Sequence, residues 1–281
     1  MIAFLGTGLL GTGFVQKLRE RGEDVHVWNR TAAKARALEP DGAKAFDDAR
    51  DAVRGAAQIH LTLSDDAAVD AVLEPLADII LPTAYIIDHT TTAPTPTGER
   101  VARWKNRGRT FVHAPVFMAP RNAREGSGLM LLSGDPALRA AVLPLLQPMT
   151  GKVLDLGDDP TRGAAFKLFG NLVLLVTTGG LADMFTLGRS LGIEPRDART
   201  LFDEFNPGAF IGARAKSIAE ERFQPSFELT MARKDARLMI EEAARHGATL
   251  DVLPAIAALQ DRYIAAGFGA DDSAIVASGR A

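Results

Sequence analysis

The sequence predicts an α/β protein: an N-terminal doubly wound parallel sheet followed by an all-helical C-terminal region. Three observations carry this. Over the first half of the chain, short apolar runs alternate with helical patterns, as repeated β-α units do. After about Asp159 the strand patterns stop, and long segments rich in Ala, Leu, Met and Arg run to the end. The chain has 281 residues, enough for two domains, and a boundary near Pro160 divides it into 1–160 and 161–281.

The first element is the apolar run Ile2–Leu5. Leu9–Arg21 follows with Leu10, Phe14, Val15 and Leu18 at three-to-four spacing, and Gly22 stops it. Val25–Trp28 is the second strand, and Ile59–Leu63, Ile86–Asp88, Thr110–His113 and Leu129–Ser133 continue the series. Thr90–Gly98 reads as a loop, because its two prolines fix φ and remove backbone donors. Past the boundary, a helix over Arg162–Gly192 would span about 45 Å at 1.5 Å per residue. Its apolar stretch Leu168–Leu181, bounded and broken by Lys167, Asn171, Asp183 and the Gly179-Gly180 pair, falls short of the ~18 residues of a membrane span. It reads as a buried or dimer-facing helix, with no membrane. Further helices are expected at Pro195–Phe205, Gly208–Glu221, Glu228–His246, Val252–Ala266 and Asp271–Ala277.

Composition narrows the function classes. Hydrophobic residues at 47% and charged residues at 24% exclude disorder, collagen and coiled coil. The 32 basic and 35 acidic side chains leave a net charge of −3 without long like-charge runs, which excludes an electrostatic nucleic-acid binder and favours a small-molecule partner. The absence of cysteine excludes disulfides, thiolate nucleophiles, zinc fingers and iron-sulfur clusters. No metal site is expected. Met1 runs directly into Ile-Ala-Phe-Leu-Gly, which is no secretory signal, so a cytoplasmic location is expected.

Gly6-Thr7-Gly8-Leu9-Leu10-Gly11 is G-x-G-x-x-G placed between an apolar strand and an amphipathic helix, the arrangement of a Rossmann dinucleotide site. Gly6 permits the tight turn, Gly8 admits the pyrophosphate to the backbone, and Gly11 lets helix and strand pack closely. The phosphates would rest on free N–H groups at the helix start. Where an NAD site commonly carries an acidic residue after the second strand, this chain has Asn29-Arg30-Thr31. A guanidinium with neighbouring hydroxyl and amide groups suits a 2′-phosphate, so NADP is favoured over NAD.

These segments and several others resemble the β-hydroxyacid dehydrogenase family, which includes the 3-hydroxyisobutyrate dehydrogenases and the semialdehyde and glyoxylate reductases. The resemblance covers nearly the whole chain. Leu63-Ser64-Asp65 stands where the family has a Leu-Pro-Asp turn near the nicotinamide ribose, with Ser64 replacing proline. Asp88-His89-Thr90-Thr91 is similar to its Asp-x-Ser-Thr segment, which would bring Thr91 to the cofactor. Gly163 to Asn171 resembles its catalytic helix. Lys234-Asp235 is similar to its Lys-Asp-Leu motif, which implies a lysine closing over the cofactor, and Gly269 to Asp272 resembles its C-terminal turn. The family's oligomeric habit implies a homodimer or homotetramer.

Physical reasoning also singles out Lys167 and Asn171. As i and i+4 they project from one helical face, and an amide beside an ammonium can orient both it and a substrate oxygen. Phe166, Leu168 and Phe169 would desolvate Lys167, lower its pKa and suit it to proton transfer. The family's substrate loop reads Asp-Ala-Pro-Val-Ser-Gly-Gly; here it is His113 to Ala119, with Phe117, Met118 and Ala119 in place of Ser-Gly-Gly. Either Arg121, Asn122 or Arg124 replaces the lost carboxylate cradle, or the substrate is less polar than a hydroxy acid. The implied activity is an NADP-dependent interconversion of a small carbonyl, such as a semialdehyde or keto acid, with its hydroxy acid or alcohol. Lys167 would be the proton donor and acceptor. Three alternatives stand beside it. Imine reductases share the architecture, and the apolar loop favours C=N reduction. A methyltransferase using S-adenosylmethionine is opposed by Asn29-Arg30, and a non-catalytic dinucleotide sensor has no need of Lys167 with Asn171.

Overall fold

A computed structural model describes residues 1–281. The chain forms two compact units, Met1–Leu172 and Val173–Ala281.

The first unit opens with β1 (Ile2–Leu5), α1 (Leu9–Glu20), β2 (Val25–Trp28), α2 (Ala32–Arg36), β3 (Lys44–Phe46), α3 (Ala49–Val53) and β4 (Gln58–Leu61). It continues through α4 (Asp66–Leu73), β5 (Tyr85–Asp88), α5 (Pro94–Asn106) and β6 (Thr110–His113). These strands make one parallel sheet in the order β3-β2-β1-β4-β5-β6. Alternate residues of β1 serve opposite faces: Ile2 and Phe4 join Phe14, Val15 and Leu18 of α1, while Ala3 and Leu5 join Val69, Leu73 and Trp104. Both faces being covered is why the strands are mostly apolar, with His60 on β4 and His113 on β6 buried among them. Beyond β6 come β7 (Val116–Phe117), α6 (Pro120–Glu125), β8 (Leu129–Leu132), α7 (Pro136–Leu146) and β9 (Lys152–Asp155). They form a second sheet, β7-β8-β9, with β7 antiparallel and β9 parallel to β8.

α8 (Arg162–Ser190) begins in the first unit and continues into the second. The second unit adds α9 (Pro195–Arg199), α10 (Leu201–Glu204), α11 (Gly208–Ala219), α12 (Leu229–Arg245) and α13 (Leu253–Tyr263). The carboxylate of Asp183 on α8 accepts backbone N–H bonds from Asp251, Val252 and Leu253 at 2.7–2.9 Å and so caps the start of α13. Asp272, in the C-terminal turn, accepts from Ser226, Phe227 and Ala274. Burial opposes its ionisation, yet these donors hold its carboxyl at about 2.

Three expectations are corrected. Thr90–Gly98 is not all loop, because α5 begins at Pro94, where the first helical position has no use for the missing N–H. The helix expected over Pro195–Phe205 is two, joined at Thr200. The last one is a 3₁₀ turn, Ser273–Ala277. Of the two settings expected for α8, buried or dimer-facing, its own chain does not supply the first: Leu172, Leu174 and Leu175 are 63%, 59% and 71% exposed. By length and composition alone α8 could cross a membrane.

Candidate active site

The sheet order reverses between β1 and β4, and the crevice at such a switch point is where doubly wound folds take their ligands. Gly6 has φ +95°, and a Cβ on it would collide with the Thr62 carbonyl oxygen. A Cβ on Gly11 would strike Gly6 and the Thr62 hydroxyl, whose oxygen donates to the Gly6 carbonyl at 2.6 Å. Gly8 differs: a Cβ there would meet nothing within 4 Å, so its side faces open space. Gly8 also caps α1 without a side-chain hydrogen bond.

Two adjoining cavities follow this loop. One, of about 260 Å³, is lined by Gly8, Leu9, Leu10, Gly11 and, across it, Leu63, Ser64, His89 and Thr91. The other, of about 390 Å³, runs past Asn29, Arg30, Thr31 and Lys34 and shares Gly8, Leu63 and Ser64 with the first. Asn29 ties its wall together, accepting from Thr7 N–H at 3.1 Å and donating to the Thr31 carbonyl. The Thr90 hydroxyl accepts from Leu63 N–H at 3.0 Å and fixes the Leu63-Ser64 turn. Thr7 keeps a buried hydroxyl without a partner. An uncapped helix start, a side-chain-free approach at Gly8 and an orphaned hydroxyl fit a dinucleotide, and Arg30 and Lys34 line the second cavity. Lys34 escaped the sequence reading, although it lies one helical turn after Arg30 behind Thr31, the N-cap of α2.

Beneath the groove lies a buried polar chain. His60 Nδ1 and His89 Nε2 are 3.0 Å apart, His89 Nδ1 is 2.7 Å from the Ala114 carbonyl oxygen, and His60 Nε2 reaches the Gln58 amide at 3.2 Å. On β6, His113 Nε2 meets the Thr90 carbonyl and the Thr92 hydroxyl. Burial pushes His89 and His113 down to about 4, and burial together with the neighbouring His89 holds His60 well below the usual imidazole range. Burial likewise pushes the Asp88 carboxyl up to about 6, although it accepts from Thr90 N–H at 2.9 Å.

Lys167 and Asn171 lie near the start of α8, partly buried and in the same unit as the groove. No hydrogen bond joins them, and Lys167 has no carboxylate partner. Its Nζ stands 4.2 Å from the centroid of the Phe117 ring. Burial lowers its pKa. Met118 is partly buried and packs against the core of the first unit. Ala119 caps α6, with its N–H on Asn122 Oδ1 at 2.9 Å. The possible carboxylate anchors are engaged elsewhere: Arg121 with Glu125, Asn122 with Ala119 and Ser127, Arg124 with Glu20. Lys234 lies on α12 of the second unit, ion-paired with Asp235 at 2.9 Å.

Residues 1–157 match the model of the NAD binding domain of 6-phosphogluconate dehydrogenase. Residues 161–278 match the NAD-binding domain of NADP-dependent 3-hydroxyisobutyrate dehydrogenase. An uncharacterised oxidoreductase of Bacillus subtilis, YfjR, is 25% identical over 276 residues, 95% of each chain. The human cytokine-like nuclear factor N-PAC is 30% identical over 246 residues, 85% of this chain but 44% of that protein. Among solved structures, an imine reductase from Myxococcus stipitatus in complex with NADP+ superposes with a TM-score of 0.92 at 20% identity, covering 98% of each chain. A reductive aminase from Aspergillus terreus in complex with NADPH and ethyl levulinate gives 0.87 at 22%, covering 98% of this chain and 97% of that one. The glycine loop, the groove and these matches define an NAD(P)-dependent oxidoreductase. Within that class, the chain belongs to the β-hydroxyacid dehydrogenase-like family, the group of the 3-hydroxyisobutyrate dehydrogenases.

Proposed function

We propose that the protein is an NADP-dependent reductase of a small carbonyl compound, interconverting a semialdehyde or keto acid with its hydroxy acid or alcohol. The observation that carries this is Lys167: an ammonium with no carboxylate partner, lowered in pKa by burial, on one helical face with Asn171. When bound, the nicotinamide supplies hydride to the substrate carbon or accepts it back. Lys167 Nζ gives a proton to the substrate oxygen in reduction and takes it in oxidation, while Asn171 holds that oxygen. Gly6 to Gly11 carry the pyrophosphate, Arg30, Thr31 and Asn29 the adenosine 2′-phosphate, and Leu63, Ser64 and Thr91 the nicotinamide side. Lys234 is assigned to the same cofactor. On this reading 1–160 serves the cofactor, and 161–281 serves substrate and assembly as a homodimer or homotetramer in the cytoplasm. The exposed face of α8 is then covered by a second copy and not by lipid. Asp183, bound to three N–H groups, supports this.

One observation favours a second reading, reduction of C=N. Phe117, Met118 and Ala119 offer no carboxylate cradle, and Arg121, Asn122 and Arg124 are all engaged. A panel of aldehydes, keto acids and imines followed by NADPH absorbance separates the two. Turnover of carbonyls, lost in Lys167→Ala, supports the first reading, and turnover of imines alone replaces it with the second. If NADPH raises the melting temperature but no substrate is turned over, a sensor is the better description.

A further inference from the structure

We propose that Phe117 is the positioning residue of Lys167, its ring face holding the ammonium in a notch that Gly170 leaves open. The inference rests on the role proposed for Lys167. The Nζ lies 4.2 Å from the ring centroid, well inside the range in which an ammonium is attracted to an aromatic face. The ring is aimed by the backbone. Phe117 is paired with Leu129 in the β7–β8 ladder, and the next residue, Met118, is partly buried against the core.

Gly170 supplies the independent observation. It lies one turn after Lys167, on the same face of α8. A Cβ there would fall on the Phe117 ring, 2.6 Å from Cε1 and closer still to Cζ. An alanine there fits only if the ring is displaced from this position. Lysine, glycine and ring are therefore one packed unit, and it occupies the place where the family's loop carries Ser-Gly.

Other charges near this part of α8 are accounted for. His113 on β6, which neighbours Gly163, is held neutral by burial with its pKa near 4. At the start of the helix Arg162 donates to the Leu156 carbonyl, and just before it Asp159 accepts from Thr161. Burial alone pulls the Lys167 pKa down. The ring face acts in the opposite direction, because it attracts the cation and not the amine.

The test is a titration of the lysine side chains by NMR in protein labelled at lysine Cε, with Lys167 assigned by its loss in Lys167→Arg. In the parent protein the Lys167 Hε protons are expected upfield, under the ring current. Phe117→Leu keeps the site apolar but removes the face. It is expected to abolish that shift and to lower the Lys167 midpoint by about 0.5–1 on the pH scale. Phe117→Trp should retain both. Gly170→Ala should remove the upfield shift, and should change nothing further when added to Phe117→Leu. A Lys167 midpoint in Phe117→Leu equal to that of the parent, or an upfield shift that survives Gly170→Ala, overturns the proposal. Should Phe117→Leu fail to fold, Gly170→Ala alone decides through the upfield shift. Because the titration reads the resting protein, it stands whether or not a substrate is turned over. A Lys167→Ala variant with undiminished turnover sinks the catalytic reading and leaves this one to its own result.

Discussion

In the first unit Phe4, Phe14, Leu61, Leu73 and Trp104 are all fully buried, on one face of the sheet or the other. In the second unit, Phe223, Leu229, Tyr263, Ala274 and Ile275 make one small core. Meanwhile Leu174, Leu175, Val176, Phe205, Phe210 and Ile211 are between 44% and 71% exposed. A sheet closed by helices on both sides consumes its own apolar surface. A bundle built along one long helix does not, and burial at roughly 25 cal/mol per Å² leaves a strong drive to cover what remains. The contrast separates a unit that buries its own apolar surface from one that leaves much of it open.

The most direct way to break this comparison is to charge the open face. Leu174→Asp with Leu175→Asp should dissociate an assembled protein entirely, since unpaired carboxylates cannot be buried in an interface without a large desolvation cost. Light scattering that gives about 30 kDa for the parent at micromolar concentration would show that the second unit needs no cover. Next in size is Lys167→Ala, expected to cost 10²- to 10⁴-fold in kcat with cofactor affinity kept, because the role proposed for the lysine is at the substrate and not at the pyrophosphate. Asn171→Ala should cost less, and steady-state assays measure both.

Acid should act first on the closed unit. His89 and His113 titrate near 4 in the folded protein against 6.5 in the unfolded chain, and His60 is lowered as well. Their contribution is complete above about 6.5 and is lost as pH falls toward 4, because only the unfolded chain takes up the protons. Each of the first two shifts is worth on the order of 3 kcal/mol. Asp88 runs the other way: its folded value of about 6 exceeds 3.8, so protonation between those values favours the fold and offsets one histidine. The expected net is a falling melting temperature between pH 6.5 and 4, and a flat profile would refute it. The smallest effect belongs to the groove. Arg30→Ala should weaken NADPH by about one to two decades, from loss of a charge-assisted contact of roughly 1.5–3 kcal/mol, and leave NADH nearly unchanged. An unaltered NADPH-to-NADH affinity ratio by titration calorimetry would remove the 2′-phosphate assignment.

How much of this was legible beforehand follows the same division. β1, β2, β4, β5 and β6 announce themselves as short apolar-rich runs of a sheet covered on both faces, even where His26, His60 or His113 interrupts them. β3 and β9 each begin on an exposed lysine, Lys44 and Lys152, and β7 is two residues long, so their pattern is too short to detect. The glycine loop was readable because no other residue fits at Gly6 or Gly11. The contact between Phe117 and Lys167 was not, since it joins distant segments and depends on what Gly170 lacks. The engagement of Arg121 and Arg124 was equally invisible, being settled by Glu125 and by Glu20 on another helix.

The histidine chain has a direction. The Ala114 carbonyl can only accept, so His89 must carry its proton on Nδ1 and offer a bare Nε2. His60 must then donate from Nδ1, which leaves its own Nε2 bare; the Gln58 Oε1, 3.2 Å from it, then has to exchange places with the amide NH₂, which can donate. A single carbonyl at one end thus selects the tautomer of two imidazoles and the orientation of an amide at the other. A glutamate at Gln58 would have no proton to give, and the whole row would need an extra one to stay bonded.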